Sequence, residues 1–200
     1  MSKRVTILAT AIGILAALSL PSSASAAWKH HATEIQANAT IGLTGNIRKQ
    51  GGLGGIECQV TTRVQFLAHQ TTGLVETFVP HPVDPTTNCK GLGGLAFCQI
   101  HNVLPTNLPW LFHTGTNDIS LTIGEIHYQT TGGFCPVKQV TTTAGTLTLT
   151  PNQPNTFSTF SVSGNTQIHL ETNSGASDTE TVSASGTLTV EPPYKNTYSV

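Results

Sequence analysis

The chain has 200 residues, nine of them Lys or Arg and ten Asp or Glu, and charged side chains make up only 10%, against a usual ~25%. The few cations are scattered, so the clustered positive charge that displaces counterions from a nucleic acid is missing and that partner is excluded. Val, Ile, Leu and Phe recur at strand-like spacing, which excludes a disordered chain.

Lys3 and Arg4 precede an apolar run from Val5 to Leu20, followed by Pro21, Ser22, Ser23 and the small residues Ala24-Ser25-Ala26. Basic start, short apolar stretch and small residues before the cut are the layout of a cleavable secretory leader. The expected organisation is a leader over residues 1–26, cut after 26 or 27, and a single Thr-rich β domain over 27–200. The apolar run is short for a bilayer-spanning helix, which needs about 20 residues, and no later segment is long enough, so no transmembrane anchor is expected. Export places the protein in the extracellular space or the cell envelope, with an unknown extracellular or cell-wall ligand as its partner.

Past the leader, apolar and polar residues alternate, the period of a strand with one wet face. Strands are predicted over Glu34–Leu43, Ile56–Ala68, Leu74–Val79, Leu95–His101, Asp118–Gln129, Val137–Thr150, Phe157–Leu170 and Thr181–Val190. Turn residues separate them, including Gly51-Gly52, Gly132-Gly133, Pro151-Asn152-Gln153-Pro154-Asn155 and Asn173-Ser174-Gly175. No segment after residue 27 has a helical period with caps. The fold class is therefore all-β: an antiparallel sandwich or flattened barrel of about eight strands with two disulfides. Two internal echoes, Gly52–Val60 against Gly91–Ile100 and Gly145–Pro151 against Gly186–Pro192, are compatible with duplicated strand units.

Cys58, Cys89, Cys98 and Cys135 all lie in the exported portion. Four cysteines in an oxidising compartment imply two disulfides, with three pairings possible. Cys89–Cys98 with Cys58–Cys135 is the expected pairing, because Pro80–Gly94 lacks a strand pattern and would gain from a local staple. Close Cys pairs of the kind that hold zinc are absent, as is a Cys-x-x-Cys redox motif.

Cys89, the glycine run, Cys98, Leu108-Pro109-Trp110 and Cys135 resemble a loose group of secreted, β-rich bacterial proteins with a Cys…Cys…Leu-Pro-Trp core. The resemblance covers roughly Ile56 to Thr150. It implies a β fold and export, and it assigns neither an activity nor site residues.

Catalytic signals are sparse. There is no Gly-x-Ser-x-Gly elbow, and the ten acids are dispersed rather than paired. Glu125 and His127 flank Ile126 and share one strand face, supplying two of the three protein ligands that catalytic zinc wants; His69, His101, His113 or His169 would have to add another. If the leader is cut after Ala27, the new terminus Trp28-Lys29-His30 offers an amine, two amides and the His30 imidazole, the square-planar set that suits Cu(II) or Ni(II). A cut after Ala26 fits the small-residue rule better and removes that chelate. Trp110 is either a core anchor or an exposed ligand platform. Thr146-x-Thr148-x-Thr150 and Thr187-x-Thr189 align hydroxyls along strand faces. No cofactor is expected. The favoured reading is a non-catalytic binding or structural protein; the alternative is a secreted hydrolase or metal-dependent enzyme assembled from dispersed His and carboxylates.

Overall fold

A computed structural model describes residues 27–31, 33–81, 87–115, 118–153, 156–195 and 197–199. The leader, residues 1–26, lies outside the described residues. Fifteen strands follow one another: β1 (Lys29–His30), β2 (Thr33–Glu34), β3 (Ala39–Gln50), β4 (Gly55–Phe66), β5 (Thr72–His81), β6 (Cys89–Leu92), β7 (Gln99–Pro105), β8 (Trp110–Thr114), β9 (Ile119–Ile123), β10 (Ile126–Thr131), β11 (Val137–Thr142), β12 (Gly145–Pro151), β13 (Thr159–Thr172), β14 (Ser177–Val190) and β15 (Tyr198–Ser199). A single 3-10 turn, Gly93–Leu95, stands between β6 and β7. The fold is all-β.

Twelve strands form one sheet in the order β11-β10-β7-β6-β4-β3-β14-β13-β12-β9-β8-β5, and the pairings β11–β13 and β4–β5 return it on itself. This exceeds the expected eight, and the reason is interruption. Register on β4 aligns β5 and β6 end to end, with Gln59 opposite His81 and Cys58 opposite Cys89. β13 aligns β12 and β11 in the same way. Short breaks divide the other two rows: Thr106–Pro109 between β7 and β8, and Gly124-Glu125 between β9 and β10. Four long strands (β3, β4, β13, β14) and four divided rows thus make one antiparallel circuit in chain order.

Strand boundaries moved where composition misled. β3 starts at Ala39 rather than Glu34 and runs on to Gln50 through Asn46-Ile47-Arg48-Lys49, a stretch polar enough to read as a loop. The expected strand Leu95–His101 begins as the 3-10 turn and becomes extended only at Gln99. β6 and β8 were not anticipated, being four and five residues long beside Gly and Pro.

Alternation sets the two faces. β4 buries Ile56, Cys58, Val60, Thr62, Val64 and Phe66 while Glu57, Gln59, Thr61, Arg63 and Gln65 point away. Across β12, β13 and β14 the outer face is lined with hydroxyls: Thr148, Ser163 and Ser185 are successive register partners, and Thr150, Ser161 and Thr187 form the next row. The two Thr ladders therefore lie on one continuous hydroxyl-bearing face. Threonine favours strands and keeps that face wet.

Beside the main sheet, β15-β1-β2 form a three-stranded patch joining the two ends of the described chain. It places Trp28, wholly buried, on a cluster with Phe66 at 4.4 Å, Phe112 at 5.4 Å and Phe157 at 6.2 Å. Trp28 Nε1 donates to Thr72 O at 2.8 Å. A buried indole with its N–H satisfied is a stable anchor.

All four cysteines are in disulfides, but the expected pairing is overturned. The bonds are Cys58–Cys89 and Cys98–Cys135. Pro80–Gly94 is not wholly irregular: β6 holds Cys89 directly opposite Cys58, with Cα atoms 4.4 Å apart. The same strand puts Ile100, not Cys98, opposite Cys89 on β7. Cys98 instead reaches Cys135 in the β10–β11 turn, at a Cα separation of 4.7 Å.

Candidate ligand cavity

The inward positions of β3 run Ile41, Leu43, Gly45, Ile47 and Lys49. Four of them suit an apolar interior; the fifth is a lysine. Lys49 is only 4% exposed, its register neighbours are Ile56 on β4 and Ala184 on β14, and its Nζ has no hydrogen-bond partner among the described residues. Burial disfavours the charged form and holds its pKa down to about 8. At neutral pH it is still mostly a cation.

Lys49 lines an apolar cavity of about 40 Å³ together with Leu43, Ile47, Val64, Trp110, Tyr128 and Leu147, among others. On β3 the lining residues Leu43, Ile47 and Lys49 span six residue steps, roughly 20 Å of strand. A second void of about 20 Å³ continues it past Leu43, Val64, Val75 and Leu149 toward Phe66, Phe112 and Phe160. Among the lining residues Lys49 is the only charged group; the other polar members are Thr62 and Tyr128. Thr62 Oγ1 donates to Thr77 O. Burial pushes the ionisation of the Tyr128 phenol upward, so it stays neutral.

Carboxylates are kept elsewhere. Glu180, two inward positions beyond Ala184 on β14, accepts the Leu53 backbone N–H with both oxygens at 2.9 and 3.0 Å, tying down the β3–β4 hairpin. The ion pairs found are Glu34–His69, Glu125–His127 and Glu171–Lys138, all at the surface.

Of the residues singled out from sequence, Trp110 is 4% exposed and its Nε1 donates to Thr106 O at 2.8 Å. It is a core anchor that also forms cavity wall. Glu125 and His127 do meet, with Oε2 3.6 Å from Nε2, and Thr141 and Gln139 lie 3.1 and 3.3 Å from His127 Nδ1. The other histidines do not join them. His69 pairs with Glu34 at 2.9 Å, His101 meets Thr131 at 3.0 Å, and His169 meets Thr179 at 2.9 Å. His113 and Asp118 are exposed on and beside the β8–β9 turn. Among the described residues no three His, Cys, Asp or Glu side chains come together as a metal site. His30 lies on β1 between β15 and β2, packed on His31 and Tyr198.

Lys49 was missed from sequence because Arg48-Lys49-Gln50 reads as a strand leaving for solvent. The available signal was the strict period of two begun at Ile41, which puts position 49 indoors. Comparison with protein-family models, with curated proteins and with solved structures returns no match to this chain.

Proposed function

We propose that this chain is an exported, non-catalytic binding protein whose antiparallel circuit is a flattened barrel holding a small apolar ligand inside. The observation that carries the reading is the apolar cavity with a lysine in it that has no partner among the described residues. Interiors are normally packed to crystal-like density, and buried charges are normally paired. A site that departs from both rules at one place is where a ligand fits.

Three further features support it. Both disulfides suit an oxidising compartment. No helix among the described residues is long and apolar enough to cross a membrane, and the outward faces of β13 and β14 carry Ser, Thr, Asn and Gln rather than an apolar band. The Glu125–His127 pair, the best remnant of the enzymatic reading, sits on an exposed face without a third group.

The test is calorimetric titration of the oxidised, leader-free protein with dodecanol, a neutral apolar probe. Saturable binding at one molecule per chain is expected. Absence of heat and of a complex in native mass spectrometry would sink the proposal.

A further inference from the structure

The charge in the cavity narrows the ligand class. Resting on the binding function just proposed, we infer that the channel selects a slender aliphatic molecule ending in a single carboxylate, whose head pairs with Lys49 Nζ while its chain lies along Leu43, Ile47, Val64 and Leu147.

Charge balance comes first. Lys49 is the only charged group on the lining, and among the described residues no carboxylate reaches its Nζ. A cation taken from water into an apolar site without a counter-charge is strongly disfavoured. One monoanion cancels it. A phosphate monoester, carrying close to two negative charges, would leave one buried in excess, with no second cation on the lining to meet it.

Shape comes second. The closed space of about 40 Å³, with about 20 Å³ more beyond Leu43, is too small for a ring system or a branched lipid, and a single aliphatic chain enters only by parting the apolar walls around it. The wall is aliphatic along the chain's path, with Trp110 and Phe78 at the side. The aromatic cluster around Trp28 closes the end away from Lys49. A chain entering methyl-first would therefore stop against rings and leave its head at the lysine.

Hydrogen bonding comes third. The ammonium has three donors and none is used. A carboxylate presents two acceptor oxygens and can take two of them. An alcohol can take one, without cancelling charge, and an amine would add a second cation.

The experiment compares four probes of equal chain length on the oxidised, leader-free chain: dodecanoate, dodecanol, dodecylamine and dodecyl phosphate. Titrations are run with the native protein, Lys49→Met and Lys49→Gln. A charge-assisted hydrogen bond predicts dodecanoate binding about ten- to a hundredfold tighter than dodecanol. Dodecyl phosphate should fall below the carboxylate, and the amine should be weakest. Both variants should bring acid and alcohol within about twofold of each other, the acid losing most of its affinity and the alcohol only the one hydrogen bond it takes from Lys49. Lys49→Met removes an unpaired buried charge and is expected to fold; Lys49→Gln keeps polarity without charge. If the alcohol binds but the acid is no tighter, or if the preference survives in both variants, the carboxylate assignment is overturned and the binding function stands. If no probe binds, both fall.

Discussion

The two ends of the molecule are held by different means. At the Trp28 end, Phe66, Phe112, Phe157, Phe160 and Tyr198 pack ring against ring, the indole N–H is satisfied, and none of these residues is covalently linked to another. At the opposite end both disulfides cross-link the strands, and Phe97 and Phe134 beside Cys98 and Cys135 are 73% and 87% exposed. The orphaned Lys49 Nζ shares its cavity with Cys58. Large buried aromatics contribute enough contact to close a sheet unaided. Where the interior is interrupted by a charge, covalent links constrain the unfolded chain instead.

That contrast can be broken from either side. The largest effect should come from Trp28→Ala, which empties the aromatic cluster and should cost about 3–5 kcal/mol, read from the urea midpoint. Replacing Cys58 and Cys89 together with Ala should cost roughly 3–4 kcal/mol, given their sequence separation of 31. Hydrogen exchange should then quicken in β6 and β7 before it does in β13 and β14. Should both regions quicken together, the two ends are one cooperative unit.

Lys49→Met should stabilise the protein by about 3 kcal/mol at pH 7, by removing a buried, uncompensated charge. Below about pH 8 folded and unfolded chains both carry the proton, so the penalty is complete. As pH rises from about 8 toward 10.5, more of the unfolded chain than of the folded keeps it, so native stability climbs and the variant's advantage shrinks. Above pH 10 the buried Tyr128 acts in the opposite sense, because only the unfolded phenol ionises readily there. The window from 8 to 10 is the informative one, and a variant advantage that stays constant across it would contradict a buried ammonium. The smallest effect belongs to Glu125→Gln: the His127 pair is exposed, so stability should stay within about 0.5 kcal/mol.

Much of this architecture was legible in the chain, for identifiable reasons. Alternation along β4, β13 and β14 was uninterrupted, so type and face followed directly. β8 was hidden because Leu108-Pro109-Trp110-Leu111-Phe112 mixes a proline with consecutive apolar residues, only some of which are buried. The cysteine pairing failed for a related reason: β6 is four residues long, too short for a period to register, yet it alone decides which sulfur Cys58 meets. Lys49 was legible only through the period of two that starts at Ile41, a signal masked by the polar neighbours Asn46, Arg48 and Gln50.

The circuit also dictates when the protein can be finished. Its closing seam joins β3 to β14, with Leu43 opposite Val190 and Gln50 opposite Ser183, and Lys29 meets Ser199 in the small sheet. Partners so distant in sequence make chain closure slow. A chain emerging from its N-terminus has no neighbour for β3's outer edge until nearly every other residue has appeared. Until then that edge is a free template for other strands. Arg48 and Lys49 lie on that edge, and charged side chains on an open edge discourage mispairing.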